Sequence, residues 1–402
     1  MKSITVFIML DACRQDYINK TDTPFLYKLQ SKGFSVPIKP TFGFEPDAAY
    51  FAGLYPDEAD GGAQFWHYPS DSPFKIAKLL PKTLNRLPVI PKKIIRKLLV
   101  KKARLSCSAP NISTAEIPFE LLSRFSFPVK HGLDHPLFCG DNQTIFDLLR
   151  TSGKKWLFHA SPNHRVNVSA VLKRAETELN PPLDFAFFHI GNLDGAGHKF
   201  GPDSVEIKKE LKYVDHHLET LYKISATRFD TVHFLVMGDH GMVKVQDTID
   251  LTSMLKALPL KHGKDYLWFP DSTMARFWFF SDTAKIIISE KLSTVKGGTI
   301  IGKKEKDKYH LNYSHNRFGD INFLAAPGKL IFPNNYQSKS HVLGMHGYSP
   351  DCFGQQAVFI IDSDKSKQLN TDTAVDMRRI FPTLCRLLDV NIPQTCGLTG
   401  MV

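Results

Sequence analysis

Ile4-Thr-Val-Phe-Ile-Met-Leu-Asp11 opens the chain with a short continuous apolar run that ends on a carboxylate. A run of this kind is what a central strand of a parallel sheet requires, because both of its faces are covered. The same grammar recurs. Trp156–His159, Asp184–Ile190, Val232–Met237, Ala275–Phe280 and Ala357–Ile361 are further apolar runs. Helical spacing lies between them, over Thr23–Lys32, Asp141–Ser152, Ser204–Ile224 and Asp376–Leu388. Strands alternating with helices imply an α/β fold with a mostly parallel central sheet flanked by helices. In such sheets ligands bind beyond the carboxyl ends of the strands.

Three of those ends carry metal-type donors. Asp11 follows the first run. Asp194-Gly-Ala-Gly-His198 follows the Asp184–Ile190 run. Asp239-His240, between Gly238 and Gly241, follows Val232–Met237. A fourth donor, His346, stands in Gly-Met-His-Gly-Tyr. Each piece alone reads equally well as a capping aspartate or a satisfied histidine. Together they place carboxylates and imidazoles in Gly-rich turns at one edge of a sheet. Donors of this kind without cysteine suit zinc or manganese in a catalytic site. Six are too many for one tetrahedral ion with an open position. They suit two ions about 4 Å apart, which clamp the attacking and leaving oxygens of a phosphoryl displacement.

Composition narrows the class. The chain has 402 residues, 43% of them hydrophobic, enough for a large core. Six scattered cysteines contain no CxxC pair, which argues against a disulfide framework or a cysteine zinc site. The first apolar run spans about seven residues and ends on Asp11, too short for a signal peptide, and no stretch reaches the roughly 18 apolar residues of a membrane span. These features read as a cytoplasmic protein.

The formal charge of +11 has one source. Between Lys75 and Arg104 lie 11 lysines and arginines and no acidic residue, leaving 40 basic against 40 acidic residues elsewhere. The segment interleaves its cations with aliphatics. From Lys92 to Arg104 the apolar positions Ile94, Ile95, Leu98 and Leu99 follow helical spacing. A basic amphipathic helix suits an anionic membrane, here the inner face; a cap helix with solvated lysines is the plainer reading. Nucleic acid is disfavoured, because no aromatic residue lies between Lys75 and Arg104 to stack on bases. Two segments read as insertions into a single catalytic domain: a basic amphipathic cap at about 64–140 and a polar cap or lid at about 281–340.

The order of these motifs resembles the alkaline phosphatase superfamily, and within it the type I phosphodiesterase / nucleotide pyrophosphatase family. The resemblance rests on Asp11, Thr23-Pro-Phe-Leu26, Gly53-Leu-Tyr-Pro56, Asp194-Gly-Ala-Gly-His198 with Gly201-Pro-Asp203, Gly238-Asp-His-Gly-Met242 and His346-Gly347. Asn142–Leu149 with Ser152-Gly-Lys154, and Val214-Asp215, add to it. It implies one ion on Asp194, His198 and His346 and another on Asp11, Asp239 and His240, with a Thr or Ser nucleophile. It implies cleavage of a phosphodiester or pyrophosphate in a nucleotide-linked or lipid-linked substrate.

The chain departs from the family at the nucleophile. Counting back from Gly53-Leu-Tyr-Pro, the family's threonine falls on Gly43, and Glu45-Pro46-Asp47 replaces the usual Pro-Asn-His. Thr41 is the nearest hydroxyl and becomes the candidate nucleophile. The alternative is attack by metal-bound hydroxide, with Asp47 or Glu45 as general base or extra ligand. Two other functions stay open: an inactive relative that binds a phosphorylated partner, and another superfamily branch such as a phosphomonoesterase, sulfatase or phosphomutase. The characteristic sulfatase Cys or Ser is not evident near Gly43.

Overall fold

The computed structural model describes residues 2–109, 112–160, 166–367 and 369–402. Its central sheet is built on β1 (Ser3–Leu10), β2 (Phe34–Lys39), β3 (Trp156–His159), β4 (Phe185–Ile190) and β5 (Thr231–Met237). These five share one direction. β10 (Ala357–Asp362) runs antiparallel between β2 and β5. The strand order is β2-β10-β5-β1-β4-β3, and short strands Leu369–Asn370 and Val375–Asp376 both pair with β2.

β1 shows why a continuous apolar run was needed. Successive side chains alternate faces. Ile4, Val6, Ile8 and Leu10 enter one buried cluster. It is shared with α1 (Pro24–Lys32), α5 (Val168–Glu178) and α7 (Val205–Arg228). Phe7 and Met9 enter the other. That one is shared with α2 (Asp47–Ala52), α4 (Ile145–Thr151) and α8 (Ile380–Leu387).

The register then aligns the functional edge. Leu10 pairs with Ile190 and Met9 with Met237, so β1, β4 and β5 end side by side. β2 ends at the same edge, which delivers Thr41 and Asp47 there as well.

One strand expected in the alternating series lies elsewhere. The run at Ala275–Phe280 belongs to a separate antiparallel sheet of β6 (Tyr266–Pro270), β7 (Met274–Phe279), β8 (Gly298–Ile300) and β9 (Ile321–Ala325), ordered β6-β7-β9-β8. Its apolar run is continuous because both faces are again covered. Phe65, Phe74, Phe119 and Phe125 pack with Leu267, Phe269 and Trp278 on one side. Ala275 and Phe277 join Ala284, Ile288 and Leu292 on the other. This sheet starts at Tyr266, ahead of the boundary expected at about 281. Within it Arg276 is fully buried, 2.9 Å from Asp271, and donates to the Phe65 carbonyl. Among the described residues, no helix is long and apolar enough to cross a membrane.

Candidate metal centre

The four donor clusters converge. The Asp11 N–H donates to the Ile190 carbonyl at 3.0 Å, which ties the end of β1 to β4. Asp239 Oδ1 accepts from the Ala12 N–H at 3.1 Å and from the His240 N–H at 3.0 Å. His240 Nε2 then lies 3.4 Å from Asp11 Oδ1 and 3.5 Å from Asp239 Oδ2. Asp11, Asp239 and His240 form one group whose ligand atoms lie within 4.8 Å of one another; Asp194, His240 and His346 form a second. His240 stacks on His346 with ring centroids 3.7 Å apart and joins the two groups.

Asp194 and His198 come together differently from the tight Gly-rich turn expected. Both sit on α6 (Asn192–Phe200), four residues apart, so they share one helix face. Asp194 Oδ1 lies 3.0 Å from His198 Nε2 and 3.8 Å from His346 Nε2. The glycines around Asp239 answer to close backbone packing. A Cβ on Gly238 would stand 2.4 Å from the Cys13 carbonyl oxygen, and one on Gly241 2.2 Å from that of Gly354. They are glycines because neighbouring backbone passes too close for a side chain.

The imidazoles are oriented. His198 Nδ1 lies 2.8 Å from the Gly344 carbonyl, and His240 Nδ1 lies 2.9 Å from that of Gly241. A carbonyl accepts only, so each Nδ1 carries a proton and each Nε2 faces the cluster. His189 supplies a support that the sequence reading missed. Fully buried on β4, its Nε2 lies 3.1 Å from Asp11 Oδ2. The signal was present, as one imidazole in an otherwise apolar strand beside the end of β1.

The electrostatics call for cations. Burial first, then the charges of Asp239, Asp194 and Asp47, push the Asp11 carboxyl well above the ordinary carboxylate range. Burial would also raise Asp194, but the imidazoles of His198, His346 and His240 outweigh it and hold that carboxylate low. The ion-pair partners found for Asp11, Asp194 and Asp239 among the described residues are all imidazoles. Asp11 Oδ1 is buried and accepts no hydrogen bond. Clustered carboxylates, an orphaned buried oxygen and imidazole nitrogens aimed inward fit divalent metal ions.

The loop after β2 settles one residue and leaves three in play. Gly43 has φ +109°, and a Cβ there would stand 2.3 Å from the Gly62 carbonyl oxygen. The family's threonine position therefore cannot carry a side chain in this chain. Thr41 is half-buried in the turn leaving β2. Asp47 is buried at the start of α2, where its Oδ1 accepts a short hydrogen bond from Tyr50. Its charge reaches Asp11, Tyr50 and Glu45. Burial, then Asp47, pushes Glu45 up to about 8. One motif residue is structural. Asp215 accepts the Phe25 and Leu26 N–H groups, each at 2.9 Å, and so caps α1.

A mostly parallel sheet with a carboxylate–imidazole cluster at its carboxyl edge is an alkaline-phosphatase-like fold with a candidate metal centre. The chain belongs to the type I phosphodiesterase / nucleotide pyrophosphatase family, whose pattern matches residues 5–349. It is 26% identical over 242 residues to the Xenopus laevis bis(5'-adenosyl)-triphosphatase enpp4, covering 57% of this chain and 50% of that protein. It is 23% identical over 215 residues to human ectonucleotide pyrophosphatase/phosphodiesterase family member 5, covering 52% and 43%. The chain spans about half the length of the curated relatives it matches. The structure of that human protein superposes with a TM-score of 0.69 over 97% of this chain and 96% of its own, at 16% identity. A murine counterpart, in an inactive threonine-to-alanine form bound to AMP, gives the same score at 18% identity.

Proposed function

We propose that the chain hydrolyses phosphodiester or pyrophosphate bonds, with two divalent ions, zinc or manganese, held by Asp11, Asp194, His198, Asp239, His240 and His346. The observation that carries this reading is the meeting of the two ligand groups at His240, which stacks on His346, with the buried Asp11 Oδ1 left without a hydrogen bond. The ions, when bound, supply positive charge to the phosphoryl oxygens and to the attacking and leaving oxygens. The chain's own part is to orient the donors, through the carbonyl anchors of His198 and His240 and through His189 at Asp11. The AMP complex of the murine relative supports a nucleotide-linked substrate; a lipid-linked one fits the same bond chemistry.

At the nucleophile loop we infer that Asp47 works at the reacting centre, accepting the proton of the attacking oxygen or adding a ligand. Its charge already acts on Asp11. Thr41 is the remaining hydroxyl for a covalent route, by analogy with the threonine whose loss accompanies inactivity in the murine relative.

The test is metal analysis of the purified protein coupled to hydrolysis of a chromogenic phosphodiester, with a phosphomonoester and a sulfate ester alongside. Close to two ions per chain and fastest cleavage of the diester are expected, and Asp239→Ala or His346→Ala should remove metal and activity together. A protein that takes up neither zinc nor manganese, or that prefers the monoester or sulfate ester, would overturn the reading.

A further inference from the structure

The basic segment forms a surface that the hydrolytic site does not use. Its main element is α3 (Val89–Ala103). The helix packs by Ile95, Leu99 and Ala103 against the aromatic cluster under it. A second aliphatic stripe, beside the packed one, stays in solvent. Ile90, Ile94 and Leu98, spaced by four, are 73%, 55% and 62% exposed, and Leu105 just beyond the helix is 87% exposed. Lys97, Lys101 and Lys102 stand exposed among them. A soluble surface rarely displays large aliphatics in a row.

Two basic hollows flank this ridge. One, of about 560 Å³, is lined by Lys75, Lys102, Lys130 and His131 beside Ile76 and Leu105. Lys130 is paired there with Asp71, which leaves Lys75 and Lys102 as its uncompensated cations. The other, of about 550 Å³, is lined by Lys93, Arg96, Lys97, Lys101 and Arg104. Arg96 turns inward to the Ile117 carbonyl at 2.9 Å, while the remaining four are exposed.

We propose that this face docks on an anionic lipid leaflet. Ile90, Ile94, Leu98 and Leu105 enter the boundary between headgroups and acyl chains, and the flanking lysines meet lipid phosphates, with the hollow at Lys75 and Lys102 seating one headgroup. The charge pattern selects this occupant. An aliphatic ridge bounded by cations on both sides matches an apolar layer covered by anions, which a neutral or basic protein partner does not offer. The absence of aromatics sets it apart from a nucleic-acid surface. The proposal is independent of the hydrolytic reading, since docking needs neither metal nor substrate.

The test is co-sedimentation of the full chain with phosphatidylcholine vesicles, with and without phosphatidylserine, at low and high salt. Binding is expected only with phosphatidylserine, and it should weaken with salt, because exposed charges are screened beyond about 8 Å at physiological ionic strength. Ile94→Asp with Leu98→Asp should abolish it. Lys97→Gln, Lys101→Gln and Lys102→Gln should each weaken it roughly fivefold. All these positions face solvent, so the melting temperature and the cleavage of a soluble diester should not change. The proposal is overturned if the parent ignores phosphatidylserine vesicles, or if the aspartate variant still binds. It is equally overturned if single-stranded RNA outcompetes the vesicles, if inorganic phosphate at millimolar level displaces them, or if sedimentation velocity shows that the ridge closes a dimer instead.

Discussion

At the scale of single residues, the chemistry turns on what replaces a threonine at Gly43. The backbone there, with φ +109° against Gly62, leaves no room for a nucleophile. Thr41, Asp47 and Glu45 remain, and their substitutions separate the routes. If the proton of the attacking oxygen passes to Asp47, Asp47→Asn should lower kcat by roughly 10²- to 10⁴-fold, and Thr41→Ala should leave it close to the parent. If Thr41 attacks phosphorus, Thr41→Ala should remove turnover and Asp47→Asn should act chiefly through the lost charge beside Asp11. Metal content, measured in parallel, should stay the same in Thr41→Ala. Full activity in both variants and in Glu45→Gln would place the reacting group outside this loop. The gathering of the candidate ligands could be read in advance because acidic and imidazole residues at strand ends have few other uses in concert. His189 was not legible, since a histidine inside an apolar strand reads as core until the register sets it against Asp11.

At the scale of elements, the sequence reading succeeded where burial is two-sided and misjudged where local spacing was ambiguous. β1, β4 and β5 could be read directly, because a parallel central strand must be apolar along its whole length. The Ala275–Phe280 run has the same composition and lies in another sheet, since periodicity reports coverage of both faces and not which elements cover them. Asp194-Gly-Ala-Gly-His198 suggested a turn because of its glycines, yet it is helical, with α6 packed on α7 and its donors at i and i+4. The helix α1 carries a prediction of its own. Thr23 makes no side-chain cap, and Asp215 on α7 caps the helix from 190 residues away in sequence. Asp215→Ala should therefore destabilise the fold by roughly 0.5–2 kcal/mol as a lost cap, and by more if the Phe25 and Leu26 N–H groups stay buried without partners. Urea denaturation should show a lower midpoint with an unchanged slope, while metal content and the KM for a diester hold. A variant with parent stability and impaired catalysis would move Asp215 into the site.

At the scale of the whole molecule, the cap that surrounds the antiparallel sheet should be the part that acid loosens. His67 stands beside Trp278 and Phe280, and His262 beside Tyr266. Both Nε2 atoms are buried and make no hydrogen bond. Burial is the main cause that holds each imidazole down at about 4, and Arg124 adds to it at His67. An unfolded histidine titrates near about 6.5. The folded pKa values are thus depressed, so the unfolded chain binds protons that the native chain refuses between those limits, and stability falls as pH drops through the window. Above about 6.5 both residues are neutral in either state and the contribution is complete. Between about 6.5 and 4 the two sites together add a slope of at most about 2.7 kcal/mol per pH unit. Other ionisable groups also respond to pH, so the parent's melting curve alone does not isolate the effect. The comparison that does is His67→Phe with His262→Phe, which keeps ring volume beside Trp278 and Tyr266 and removes the titration. Thermal melts at pH 7, 5.5 and 4.5 should converge on a shallower pH dependence in the double variant. Hydrogen exchange at pH 5 should show protection recovered in β6 and β7 before it changes in β1. Identical pH profiles for parent and variant would mean that these two imidazoles become protonated without cost, and that the cap is not where acid acts.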